Sequence, residues 1–184
     1  MSATNFNGQL VKLAVTDLDT DTLLMSQWEN NAELDRLLDT APAYLRTHKE
    51  TKQWLQENLD EMCTFMIRTL ADDRSIGFID LSGFNWATGD AWVGIGLGEQ
   101  SNWGHGYGTD AMKVILRYAF EELNLQRVSL TVFEYNPRGI RSYEKAGFKI
   151  EGRARKVVNR SGQRWDIIFM GILRSEWEAA RQVN

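Results

Sequence analysis

The stretch "DAWVGIGLGEQSNWGHGYGTDAM", residues 90–112, changes character twice. It begins as a strand, because Ala91, Val93, Ile95 and Leu97 recur with a period of two and share one face. The opposite face carries Trp92, Gly94 and Gly96, and a face that bare invites a bulge or the close approach of a ligand. A loop follows with glycine at alternate positions, Gly104, Gly106 and Gly108, and then a helix opens. Glycine is costly to order, so this density marks a backbone that something must approach. A glycine-rich turn running into a helix N-terminus aims several backbone N–H groups at one point. The helix dipole adds to them, which makes a phosphate cradle.

The downstream segments fit around this unit. "TDAMKVILRYAFEELNL" (109–125) has a helical stripe of Ala111, Val114, Ile115, Tyr118, Ala119 and Leu123, broadened by Met112, Leu116 and Phe120. So wide an apolar surface predicts a helix buried against a sheet. "RVSLTVF" (127–133) is a strand with Val128, Leu130 and Val132 inward and Ser129 and Thr131 on the other side. The helix from Thr109 to Leu123 should therefore join two parallel neighbours, strands 91–97 and 127–133. "NPRGIRSYEKAGF" (136–148) is punctuated as a helix: Asn136 as N-cap, Pro137 at the first position, Gly147 just past the end. The tail predicts a hairpin and, at "SEWEAARQ", a short terminal helix.

Upstream, "QLVKLAV" (9–15) alternates like a first strand, and "TDLDTDTLLMSQWEN" offers Thr and Asp caps before a helical stretch carrying Leu23, Leu24 and Trp28. "NAELDRLLD" and "THKETKQWLQENLDEM" predict two more helices, the second with a Thr47/Glu50 capping box. "CTFMIRTL", the turn "ADDRS" and "IGFIDLSGF" predict an antiparallel hairpin. The order describes an α/β (α+β) domain around a mixed sheet.

Composition narrows the function. The chain has 184 residues, 43% hydrophobic and 25% charged, which suits one globular domain. A net charge of −4 speaks against a nucleic-acid partner or an anionic membrane and favours a cationic or neutral one. The single cysteine, Cys63, and two histidines argue against an internal disulfide and a metal site. The first residues lack a signal-peptide pattern and no apolar run is long enough to span a membrane, so a cytoplasmic location is expected.

Three kinds of protein use such a glycine turn. A Walker loop needs a lysine that "GYGTDAM" lacks, and a dinucleotide fingerprint needs G-x-G-x-x-G where this loop runs G-x-G-x-G. The third is an acetyl-coenzyme A pyrophosphate loop, with a plain flexible turn as the alternative. The helix "NPRGIRSYEKAGF", with Tyr143 seven residues after Asn136, resembles the Asn…Tyr-Glu-Lys-x-Gly-Phe signature of the GNAT N-acetyltransferase superfamily. "WGHGYGT" resembles that superfamily's (Q/R)-x-x-G-x-(G/A) loop, with Trp103 standing where Gln or Arg is usual. The closing "WDIIFMGILRSEW" resembles the branch of ribosomal-protein-alanine and spermidine acetyltransferases.

The resemblance implies a mostly antiparallel, seven-stranded twisted sheet with a central, splayed parallel pair, flanked by helices. One domain would span 1–184: acceptor-side elements and first strands over 1–90, an acetyl-CoA core over 91–148, and a hairpin and helix over 149–184. It implies acetyl transfer from acetyl-CoA to a primary amine by direct attack through a tetrahedral intermediate, with no metal. Backbone groups near Ile95 and Leu97 would hold the pantetheine and the oxyanion. Trp103, Gly104, His105, Gly106, Tyr107, Gly108 and Thr109 would hold the pyrophosphate, with Asn136 on the pantetheine and Arg141 toward a phosphate. Tyr143 would be the general acid at the leaving sulfur. The base stays open between Glu99, Asp80 and a water chain. Trp28, Asp80, Phe84 and Trp86 are candidate acceptor contacts, with Tyr44, Trp54 and Trp165 as further aromatics beside Asp35, Asp39 and Asp90. The acceptor classes are a protein N-terminus, a polyamine or an aminoglycoside-type drug. A non-catalytic acyl-CoA-binding module is the alternative outside enzymes. Analogy would also give a homodimer through the last strands.

Overall fold

In the computed structural model, residues 3–182 are described, and one sheet runs through nearly all of that length. Its strands are β1 (Val11–Val15), β2 (Cys63–Thr69), β3 (Ser75–Asn85), β4 (Asp90–Leu97), β5 (Arg127–Phe133), β6 (Lys149–Arg160) and β7 (Gln163–Leu173). Their order is β1-β2-β3-β4-β5-β7-β6, antiparallel at every junction except β4–β5, which is parallel. That pair is joined only at Asp90↔Arg127, Ala91↔Val128 and Trp92↔Ser129. Beyond Trp92 each strand keeps its outer partner, through Gly77↔Leu97 on one side and Phe133↔Ile167 on the other. The sheet therefore splits at its centre, as the resemblance implies.

Helices α1 (Asp21–Glu29), α2 (Ala32–Leu38), α3 (His48–Glu57), α4 (Tyr107–Arg117), α5 (Pro137–Ala146) and α6 (Arg174–Gln182) complete the fold. The inward residues of β4 and β5 pack on α4, whose Ala111, Met112, Val114, Ile115 and Leu116 are all buried. α4 starts two residues earlier than its periodicity predicts, because Gly106, at φ +89°, is its N-cap. It ends in a π-helical turn, Tyr118–Glu122, whose extra width puts both Ala119 and Phe120 into the core. Asp110 ties α4 to the first strand. Its buried carboxylate accepts from the backbone N–H groups of Gln9 (3.1 Å), Leu10 (2.7 Å) and Val11 (3.0 Å).

The other face of the sheet is covered by α1, α2 and α3 around Met25, Trp28, Leu34, Leu55 and Met66. On α1, Thr22, Met25, Ser26 and Trp28 are buried and Leu23 is exposed. The reason lies before the helix. The Asp17 N–H donates to the Asp21 carboxylate and the Asp21 N–H to the Asp17 carbonyl, each at 2.9 Å, which fixes how the helix is rotated. The Thr47/Glu50 capping box forms as predicted at the start of α3. The bare face of β4 has a different explanation from the expected ligand. A Cβ on Gly94 would lie 2.7 Å from Asp80 Oδ2, one on Gly96 2.8 Å from Phe78, and one on Gly98 2.1 Å from Trp28. Side chains from β3 and α1 already fill that space. Ser129 likewise accepts from Arg127 Nε at 3.0 Å, and Thr131 is exposed.

Candidate active site

The split between β4 and β5 opens into a cavity of about 370 Å³. β4 contributes Ile95, Gly96 and Leu97; the glycine loop and first turn of α4 contribute Trp103, Gly104, Gly106, Tyr107, Gly108 and Thr109. α5 adds Asn136, Arg141 and Tyr143, and α2 closes the top with Leu34, Leu37 and Leu38. Three of the expected catalytic and coenzyme residues, His105, Glu99 and Asp80, lie outside that lining. His105 is exposed, its ring 6.1 Å from that of Tyr107, and Glu99 is an exposed carboxylate taking a hydrogen bond from Ser101 Oγ at 3.2 Å.

Gly104 and Gly106 both have left-handed backbones, φ +83° and +89°, which L side chains adopt at a cost. No side chain caps α4, so the N–H groups of its first turn, at the cavity wall, keep their positive dipole end uncovered. Beside Gly104 there is open space, with no atom within 4 Å of where a Cβ would sit. This is a cradle of a size and polarity that fit a diphosphate. At Gly108 a Cβ would make ordinary contact, 3.6 Å from Ser142 Oγ, so alanine fits there. Gly106→Val should therefore weaken coenzyme A binding by about 30-fold, because a β-branched residue cannot hold this left-handed backbone and its Cβ would press on Leu10 at 3.3 Å, shifting the N–H groups of the turn. Gly108→Ala should leave binding unchanged. Calorimetric titration with coenzyme A checks both, and equal affinities for the two variants would remove the cradle.

Trp103 bridges the split. Its indole Nε1–H donates to the Leu97 carbonyl at 2.9 Å, and the Arg138 guanidinium stacks 3.7 Å above its ring. The residue at the usual Gln/Arg position thus turns its donor inward and recruits an arginine from α5. Burial lowers the pKa of Arg138, and Glu33 opposes the shift. Thr109 Oγ1 and Ser142 Oγ, 2.8 Å apart, tie α4 to α5, and Asn136 Oδ1 accepts the Gly139 N–H at 2.9 Å as N-cap. α2 is held over the cavity at both ends, by Gln100 donating to Glu33 and by Tyr135 Oη donating to the Arg36 carbonyl at 2.7 Å. The sequence reading missed Arg138, Ser142, Lys145 and the leucines of α2 as lining residues. Arg138, Arg141, Ser142 and Lys145 recur at helical spacing after Asn136, which was the available signal.

Burial acts strongly on two titratable groups, Tyr143 in the cavity lining and Asp80 outside it. Tyr143 lines the cavity, its ring edge-on to Phe148, and burial pushes its hydroxyl up to about 12. Asp80 pairs with Gly94, two residues past the last β4–β5 rung, and its carboxylate occupies the place a side chain at Gly94 would take. Burial raises its pKa to about 6, against a hydrogen bond with Ser82 that favours the charged form.

The acceptor candidates do not form one group. Trp28 is buried at 5% exposure in the second core, and Tyr44 lies 4.4 Å from the Arg46 guanidinium, which also pairs with Asp35 at 3.2 Å. Trp165 packs edge-on against Tyr135, 5.5 Å away. Phe84 and Trp86 stack on each other at 4.8 Å beside Trp54, away from these.

Comparison with known proteins agrees with this geometry. The model of the GNAT acetyltransferase domain matches residues 10–149. A Bacillus subtilis protein named "Probable N-acetyltransferase YjcK" is 39% identical over 126 residues, 67% of this chain and 69% of its own length. The prophage-derived uncharacterized N-acetyltransferase YokL of the same organism is 29% identical over 133 residues, 72% of this chain and 75% of its own. Among solved structures, the spermidine N-acetyltransferase of Vibrio cholerae, in complex with CoA and spermine, superposes with a TM-score of 0.82 over 91% of this chain and 98% of that one. At 22% identity that likeness is one of fold. The split sheet, the glycine cradle and the Asn136–Tyr143 helix thus have one common source: the chain belongs to the GNAT acetyltransferase family.

Proposed function

We propose that the protein transfers the acetyl group of acetyl-CoA to a primary amine by direct attack, the C–N bond forming and the C–S bond breaking, with Asp80 as base and Tyr143 as the hydrogen-bond donor that steadies the leaving thiolate. The observation that carries this reading is a pair of buried protonatable groups, one of them in the lining of the cavity. A neutral phenol lines it, and a carboxylate with a raised pKa stands beside the point where the strands part. When bound, acetyl-CoA supplies the activated acetyl thioester. Backbone N–H groups from Gly104 to Thr109 hold the pyrophosphate, with Arg138, Arg141 and Lys145 supplying positive charge around it. The backbone of Ile95 to Leu97, freed from β5, pairs with the pantetheine amides and offers an N–H to the developing oxyanion. Asp80 Oδ2 takes the ammonium proton through water, and Tyr143 Oη donates a hydrogen bond to the departing sulfur.

A panel of amines with acetyl-CoA tests this directly. The expected result is amine-dependent release of thiol together with an N-acetylated product of the added amine, seen by mass spectrometry. Coenzyme binding with no amine-dependent thiol release from any member of the panel would refute the transfer reading.

A further inference from the structure

A recess of about 410 Å³ lies where α2, the β5–α5 junction and the β6–β7 hairpin meet. It shares Leu37, Asn136 and Arg138 with the coenzyme cavity and extends beyond it to Tyr135, Arg160 and Trp165. Although the chain carries a net charge of −4, this recess collects three arginines, Arg36, Arg138 and Arg160, against one carboxylate, Glu33. None of the three arginines forms an ion pair with a described residue. Glu33 accepts a hydrogen bond from Gln100 and acts on Arg138 from beyond ion-pair distance. The concentrated positive charge is felt at Tyr135: burial pushes its hydroxyl up, and Arg160 and Arg36 pull it back. Arg160 is fixed in place, because its Nη2 donates to the carbonyls of Asp39 (2.8 Å) and Ala41 (2.7 Å) in the α2–α3 connection. Its backbone carbonyl accepts from Trp165 Nε1 at 3.3 Å. Its buried Nε–H has no acceptor among the described residues. Guanidinium groups gathered in one recess repel one another, and a buried charged donor without an acceptor is costly. An anion lodged among them relieves both costs. The other walls are flat and aromatic, with Trp165 edge-on to Tyr135 at 5.5 Å and Tyr135 stacked on Phe133 at 5.1 Å.

We propose that this recess is a second ligand site, separate from the coenzyme cradle, for a small organic anion: a phosphate monoester or a dicarboxylate carried on an aromatic body. The guanidinium groups of Arg36, Arg138 and Arg160 take the anionic oxygens, and Tyr135 and Trp165 take the ring. Planar guanidinium forks match the paired oxygens of carboxylates and phosphates, which a scatter of ammonium groups would not. Aromatic walls add stacking to that charge and favour a flat ligand over a bare ion.

Phenyl phosphate and isophthalate present the two kinds of anion on the same ring, and inorganic phosphate lacks the ring. The test is calorimetry on the full chain with saturating coenzyme A, which keeps the probes out of the glycine cradle. One of the two aromatic anions should bind about tenfold more tightly than inorganic phosphate, and the tighter one identifies the anionic group. Arg36→Gln and Arg160→Gln should each weaken it about tenfold, and rising salt should weaken it further. Arg155→Gln, at an exposed arginine of β6 outside the recess lining, should leave it unchanged. Neither Arg36 nor Arg160 lines the coenzyme cavity, so coenzyme affinity should stay the same in all variants and reports that they fold. Arg36 is exposed, so its variant carries the test even where loss of the Arg160 bonds unfolds the hairpin. No binding of either aromatic anion, affinity equal to that of inorganic phosphate, affinity that survives Arg36→Gln, or an equal loss in Arg155→Gln overturns the proposal. The site does not depend on acetyl transfer: a chain that bound phenyl phosphate through Arg36 and acetylated no amine would keep it and refute the transfer reading alone.

Discussion

Tyr143→Phe should lower kcat about 100-fold while leaving the KM for acetyl-CoA within about twofold. The ring stays, so its packing against Phe148 and the cavity wall persists, and one hydroxyl is lost. Burial holds that hydroxyl at about 12, so it is neutral throughout the working pH range. A free thiol ionises near pH 8.5, so a phenol this weak donates a hydrogen bond to the leaving sulfur far more readily than its proton. The contribution therefore grows as negative charge builds on the sulfur and is small toward the intact thioester, which is why kcat falls and KM does not. Steady-state rates for both variants with one amine check it. A Tyr143→Phe enzyme within threefold of wild-type kcat would leave the departing sulfur to solvent.

The frame of this site was readable in the chain because it is written in local punctuation. Period-two alternation marks β4 and β5, Asn136, Pro137 and Gly147 bracket α5, and the two positive-φ glycines fall where the spacing marks a cradle. What stayed hidden depends on contacts between elements distant in sequence. The stacking of Arg138 on Trp103 requires the angle between α5 and the end of β4. The covering role of Leu34, Leu37 and Leu38 depends on the Gln100–Glu33 and Tyr135–Arg36 bonds that hold a two-turn helix in place. Gly94 and Gly96 show the same limit from the opposite direction. Alternation identified a bare face, but only the β3–β4 register reveals that Asp80 and Phe78 occupy it. Trp28 shows the same limit, since its packing with Met25, Leu34, Leu55 and Met66 brings together three helices and a strand that its local pattern does not link.

That register also makes Asp80 the point where activity and stability pull in opposite directions. A carboxylate raised to about 6 is ionised at pH 8 and is a stronger base than an ordinary aspartate near 3.9. With saturating amine, wild-type kcat should rise through pH 6, or somewhat above it once the coenzyme excludes more water from the split. Asp80→Asn keeps the shape beside Gly94 and removes the base, so kcat should fall about 100-fold at pH 8 and the limb near pH 6 should disappear. Stability should move the other way. The folded chain binds the Asp80 proton more tightly than the unfolded chain, so its ionisation opposes folding. The penalty is absent below about pH 4, where both states are protonated, and complete above about pH 6. Relief of that penalty is on the order of 3 kcal/mol, so the Asn variant should melt several degrees higher than wild type at pH 8 and converge with it as pH falls toward 4. Rate profiles and thermal melts over the same pH range check both halves. An Asp80→Asn protein that lost activity by unfolding would melt lower, and one that kept the pH 6 limb would assign that proton to another group.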